Sequence, residues 1–361
     1  MYLIFTLLFR GFKVLKIAPA FVLAAQGAES APDLGNLLQN ALRLEHATVP
    51  AYLTAAYSIR RNTNTAIFTA IKDIAEEEML HMALVANLIN AIGSRPDIAN
   101  PEFLPRYPGP LPMAIGNGLI VGLKPLSRDL VHDVFMEIEK PENPLLFPVK
   151  PLAAGEPEFA TIGEFYKAII DRILELGDGI FSPRVPQVTL PDRPGTWERL
   201  TPITDTLSAV KALQWIMEDG EGTPTLPFDG SGDFAHYYRF EEIFHGRKLI
   251  PDANAPLRFA YAGDPVPLDT TKIWPLPENP KAADYSAGSD ARRAVDSFNQ
   301  FYSDMLRSLQ RAFDGEPTEM TKALSLMGRL RSTATQLVQL VDPGSGKRGA
   351  PTYEYMPALV S

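Results

Sequence analysis

The sequence predicts an all-α fold: a four-helix bundle with a long irregular insertion and extra C-terminal helices. Three observations predict it. Apolar residues recur every three or four positions over several long segments, so each segment lays one stripe along a helix. Acidic residues and one histidine stand inside those stripes, where an uncompensated charge is costly. The helical segments are separated by proline-rich stretches too long to be simple turns.

Composition narrows the class. The 361 residues are 45% hydrophobic with a net charge of −9, and no Lys/Arg run offers the basic face that nucleic acid requires. With no cysteine, disulfides, zinc ribbons, iron–sulfur clusters and thiol nucleophiles are all excluded. The 33 prolines imply rigid connections between the helices. Residues 1–31 stand apart: Arg10, Lys13 and Lys16 precede an apolar run from Ile17 to Ala25, and small residues follow at Gly27, Ala28, Ser30 and Ala31. This is the order of a secretory signal, or else a disordered N-terminal segment. No later stretch is long and apolar enough to span a bilayer. A cytoplasmic location is expected, or a secreted one if residues 1–31 are a signal.

From Asp33, residues Leu34, Leu37, Leu38, Ala41, Leu42, Glu45, Val49, Tyr52 and Leu53 form one stripe, with Glu45 inside it and Pro50 expected to kink the helix. A second helix runs from about Asn64 to Ile92 and stops at Gly93 and Pro96. Residues 94–160 are punctuated by Pro and Gly and read as an insertion, with one strand-like or short helical run at Leu130–Ile138. A third helix, Thr161–Leu176, has Thr161 as its expected N-cap and Glu164 as its capping-box partner. After a proline-rich crossover come a fourth helix at about Thr204–Asp219 and a further one at Asp233–Phe244. Two amphipathic helices, roughly Ser289–Phe313 and Thr318–Leu340, are joined by Asp314-Gly315 and so lie antiparallel. The expected division is a metal-binding bundle over 32–250 and a C-terminal extension over 251–361 packed on it.

The second helix carries Glu76-Glu77-Glu78-Met79-Leu80-His81. Glu78 and His81 are three apart and therefore neighbours on one face, and Ile74 and Val85 turn that face inward. Bundles that hold two metal ions use one Glu from each of two helices and a Glu-x-x-His from each of the other two. Glu45 and Glu78/His81 begin that order correctly. Glu164 on the third helix is the next candidate carboxylate, though capping explains it nearly as well. On the fourth helix Glu218 and Glu221 are three apart, but glutamate replaces the histidine, and His236 just beyond is the candidate for the missing imidazole. The candidate ligands are thus Glu45, Glu78, His81, Glu164, Glu218, Glu221 and His236. His46 points about 100° away from Glu45 on an ideal helix, and His132 and His245 have no carboxylate at ligand spacing. Serine-hydrolase elbows, phosphate-binding loops and dinucleotide fingerprints are absent.

Five segments also carry a resemblance: Leu44-Glu45-His46-Ala47-Thr48-Val49-Pro50-Ala51-Tyr52-Leu53, Glu76 to His81, Gly163-Glu164-Phe165-Tyr166, Glu218-Asp219-Gly220-Glu221-Gly222 and His236-Tyr237-Tyr238-Arg239-Phe240. They resemble the ferritin-like domain of the iminophenyl-pyruvate dimer synthase type. Trp274-Pro275-Leu276-Pro277-Glu278-Asn279-Pro280, the C-terminal helix pair and Ala350-Pro351-Thr352-Tyr353-Glu354-Tyr355 are similar to its downstream part. The likeness spans roughly residues 34–357. It implies kinship with enzymes of bis-indole pigment biosynthesis, which couple two imines made from an aromatic amino acid and are much larger than this chain.

The expected function is a metal-dependent, di-iron oxidase or oxygenase, or an imine-coupling enzyme, of specialised metabolism. Two non-haem iron ions, or another divalent metal, would be its cofactor, and an aromatic-amino-acid-derived small molecule its partner. The alternatives are a non-catalytic binding or scaffold protein built on the same bundle, and an iron-handling protein.

Overall fold

The computed structural model describes residues 18–114, 118–141, 162–193, 195–223, 226–230, 232–255 and 258–358. Its core is helical. Helix α1 spans Pro19–Gln26, α2 spans Ala31–Tyr57 and α3 spans Thr65–Ala91. Arg128–Leu130 (α4), a π-helical stretch Val131–Phe135 and Met136–Ile138 (α5) follow one another without a break, so the run Leu130–Ile138 is helix and not strand. Next come α6 (Ile162–Leu176), α7 (Thr206–Glu221), α8 (His236–His245), α9 (Asp290–Phe313) and α10 (Glu319–Leu337). Strand structure among the described residues is limited to two short antiparallel pairs, with Gly109 opposite Val121 and Ile250 opposite Ala260.

The bundle is made of two helix pairs. In α2 and α3 the apolar stripes face each other along their whole length, burying Leu38, Ala41, Leu42 and Tyr52 against Ile67, Ile71, Ile74 and Val85. Pro50 lies inside α2, and the helix runs through it; Thr54 donates its hydroxyl hydrogen to the Pro50 carbonyl at 2.7 Å. The second pair is α6 with α7, and α7 also packs on α3. Asp205 caps α7 with the box expected of a helix start, exchanging side-chain and backbone bonds with Ser208. Thr161, expected to cap α6, lies outside the described residues, as do 142–160 of the insertion.

One segment departs from expectation. The N-terminal segment was expected to be a signal or disordered. Its described part instead forms α1, which packs on α6 and buries Ala25, and just beyond this helix Ala28 is buried and accepts a hydrogen bond from Arg172 at its carbonyl. Residues 1–17 lie outside the described residues. The C-terminal helices are tied into the same core: Phe298, Tyr302, Leu306 and Phe313 of α9 and Met320 and Leu330 of α10 join one apolar cluster with α2 and α3. Asn90 of α3 holds the Phe313 carbonyl at 2.7 Å, and Trp274 is sandwiched between Arg60 and Arg348 at 4.2 and 4.6 Å.

Candidate metal centre

Glu45, Glu78, His81, Glu139 and His236 converge in the core, each less than a tenth exposed. They form two three-residue groups, Glu45–Glu78–His81 and Glu78–Glu139–His236, with Glu78 common to both. Glu45 and Glu78 arrive from the facing stripes of α2 and α3, and His81 stands one turn on from Glu78. Glu139 follows the last turn of α5, in phase with Val131 and Phe135 on the buried side of that helix. His236 is the first residue of α8.

The two halves mirror each other. The Nδ1 atom of His81 is 3.5 Å from Glu45 and 3.8 Å from Glu78, while its Nε2 meets Asp219 at 2.9 Å. Asp219 in turn accepts from Arg199 at 2.7 Å. In the other half, Nδ1 of His236 is 2.9 Å from Glu78 and 3.4 Å from Glu139, and Nε2 meets Glu77 at 2.8 Å. Glu77 accepts from Arg239 at 2.6 Å. The outer carboxylates are held alike, Glu45 by the Tyr166 hydroxyl and Glu139 by the Tyr52 hydroxyl. The imidazole rings stack with centroids 5.7 Å apart.

This arrangement sets the tautomers. A buried carboxylate facing Nε2 requires an N–H there, so Nδ1 keeps its lone pair and turns it toward the carboxylates. Nδ1 of His236 is buried without a hydrogen bond even though Glu78 stands 2.9 Å away. A lone pair and carboxylate oxygens so disposed repel one another unless a cation lies between them. The donor set of carboxylate oxygen and imidazole nitrogen suits iron, manganese or zinc, so the residues fit a bound metal. Without metal, protons take over the compensation. Burial lowers the pKa of both imidazoles, but the carboxylates around them outweigh it and hold both well above the ordinary histidine value. Burial pushes Glu45 up to about 7. Burial also works against ionised Glu78, yet His236 and His81 hold its carboxyl far below the usual range.

Two expected ligands stand elsewhere, and a third stands at the rim of the centre. Glu164 is on the exposed face of α6, because its helix buries Phe165, Tyr166 and Ile169 instead. Glu218 is only half-buried and lies against Gly230. Glu221 borders the centre, but its carboxylate accepts from the Gly163 backbone at 3.0 Å and clasps α6 to α7. Of the acidic residues near the end of α7, Asp219 turns inward, since it continues the buried stripe Ala209, Ala212, Leu213 and Ile216. That phase was visible in the sequence. Glu139, the other residue missed, sits at the end of an apolar run in the proline-rich insertion, where no long helix announces its face. A cavity of about 50 Å³ adjoins the centre, bordered by Thr48, Ile138, Gly163, Ile216 and Gly220, with room for a molecule the size of water or dioxygen.

The ferritin-like family model matches residues 38–245, which is the span that contains every residue of this centre. The chain belongs to the ferritin-like family. Among solved structures, a ferritin-like protein from Caulobacter vibrioides superimposes with a TM-score of 0.58 at 23% identity, over 90% of this chain and 98% of that one; that likeness shows the fold. Dichlorochromopyrrolate synthase of Lentzea aerocolonigenes is 22% identical over 94% of this ferritin-like chain, which spans only 37% of that enzyme's length. Among the described residues no helix is long and apolar enough to cross a membrane.

Proposed function

We propose that this chain is a metal-dependent oxidoreductase or imine-coupling enzyme, of the iminophenyl-pyruvate dimer synthase type, that acts on a small molecule derived from an aromatic amino acid. The single observation that carries the reading is Glu78, shared between two mirrored groups that each add one carboxylate and one imidazole. The distant likeness to dichlorochromopyrrolate synthase supports the substrate class.

Glu45, Glu78 and His81 would hold one ion, and Glu78, Glu139 and His236 the other. Bound iron supplies one-electron and dioxygen chemistry that none of these side chains possesses. The protein's own part is positional. Asp219 and Glu77 fix the imidazoles with Nδ1 inward, and Arg199 and Arg239 keep those two carboxylates ionised. Tyr166 and Tyr52 each donate to one oxygen of an outer glutamate, leaving the other oxygen free toward the centre. Apolar neighbours keep bulk water out, which strengthens every charge interaction inside.

Metal analysis after anaerobic ferrous loading tests the reading. About two equivalents per chain are expected, with at least one lost in His81→Ala or Glu139→Gln and none in His132→Ala. Oxygen uptake in the presence of an aromatic 2-imino acid, generated in place, then tests the substrate class. A wild-type chain that takes up no metal ends the enzyme reading and leaves a ferritin-like scaffold.

A further inference from the structure

A second cavity, of about 260 Å³, lies between the α2/α3 pair and the α9/α10 pair. It shares no lining residue with the metal centre. On α2 it is bordered by His46, Val49, Leu53 and Ala56, a different stripe from the one that carries Glu45. Its wall includes five methionines, Met79, Met82, Met305, Met320 and Met327, the side chains best able to adapt to an irregular apolar guest.

Beside the Tyr353 hydroxyl, which also lacks a partner, two buried polar atoms on residues of the wall have no hydrogen-bond partner: Nδ1 of His46 and Nε1 of Trp197, on side chains only 3% and 4% exposed. Both are donors. The Tyr302 hydroxyl has no other acceptor among the described residues and donates to Nε2 of His46 at 2.7 Å, so the hydrogen of that neutral ring is on Nδ1. Indole nitrogen is a donor only. Buried donors left unpaired are costly and uncommon in a finished core. Beside Trp197 stands Arg193, its guanidinium 5.5 Å from the indole ring centroid, with no carboxylate in ion-pair range among the described residues. A largely apolar wall whose charged members are Arg193, Arg331 and the Lys72–Glu76 ion pair, together with the unpaired donors, describes the complement of an amphipathic anion.

We propose that this cavity is a binding site for an apolar monocarboxylate. The carboxylate takes the Trp197 Nε1–H and the Arg193 guanidinium, the apolar body lies among the methionines, and the His46 Nδ1–H serves an oxygen further along the ligand. The site does not depend on the metal centre.

Titration calorimetry with two probes, decanoate for an alkyl body and indole-3-acetate for an aryl one, tests it. Binding of either supports the site, and the one preferred names the source. Trp197→Phe and Arg193→Gln are each expected to weaken the carboxylate at least about tenfold, with decanol affinity unchanged. Ala83→Leu, which fills the cavity, is expected to abolish binding without lowering the melting temperature. His81→Ala is expected to leave binding intact, so a failure of the metal reading is separable from a failure of this one. The proposal is overturned if neither probe binds at about 1 mM, or if Trp197→Phe and Arg193→Gln bind decanoate as the wild type does.

Discussion

Asp219 and Glu77 do chemistry by proxy: each decides which nitrogen of a histidine faces the centre. In Asp219→Asn the amide can donate to Nε2 of His81, which moves the proton to Nδ1 and removes the lone pair the centre needs. The expected result is a loss of roughly 10- to 100-fold in metal affinity with an unchanged helical content, read by competition against a chelator. Glu241 makes a different prediction. It is fully buried on α8 and accepts from the Tyr261 hydroxyl, and burial pushes its carboxyl up to about 7. A carboxyl whose folded pKa exceeds its unfolded value stabilises the fold at low pH, and that contribution is lost as pH rises from about 4.5 to about 7. At about 1.4 kcal/mol per pH unit the loss reaches roughly 3 kcal/mol. Glu241→Gln is therefore expected to melt several degrees higher than wild type at pH 8 and to show no advantage at pH 4. Equal melting at pH 8 would refute it. At this scale the sequence is uneven. Glu45, Glu78 and His81 declare themselves because a charged residue in an apolar stripe is conspicuous. His236 was reachable only as a missing imidazole, and Glu139 was hidden because three short helical pieces give too few turns for a phase to be read.

The helices themselves were far more legible, because their apolar repeats are long enough to outvote single exceptions such as Pro50. Their ends shifted by a few residues from the positions expected, as caps and neighbours rather than stripes decide where a helix stops. The α4–α5 run shows the limit. Its π-helical stretch Val131–Phe135 adds a residue to one turn, which breaks the 3.6-residue rhythm that pattern reading depends on. Gly328 offers a test at this level. It lies within α10, and a Cβ built there meets nothing within 4 Å. Gly328→Ala is expected to stabilise the chain by about 0.5–1 kcal/mol, measured by denaturant midpoint; a loss of stability would show that α10 needs that glycine for closer packing than the open space implies.

Over the whole molecule, the bundle is braced on two sides by chain that lies outside it. Since α1 and the turn after it bury Ala25 and Ala28 in the common core, a chain starting at Ser30 is expected to melt measurably lower than one starting at Ala18, contrary to what a cleaved or disordered leader implies. Identical melting curves would restore the leader reading. At the other end, Asn299 of α9 binds Thr352 at 2.8 Å and the Glu354 backbone at 3.1 Å, and Tyr355 reaches the Ala99 carbonyl at 2.7 Å. The mirrored centre described above has one more consequence, in the currency of hydrogen exchange. Glu45, His81, Tyr166 and Asp219 all sit on the four bundle helices, whereas Glu139 and His236 are delivered by α5 and by the ten-residue α8. Short appended elements open more readily than long packed ones, so the half-site built on them is the one transiently dismantled while the other persists. A bound ion there stabilises the closed form by mass action. Backbone amides of α8 are accordingly expected to gain more protection on metal loading than those of α2 or α3, and the two halves are expected to empty in sequence, the His236 half first.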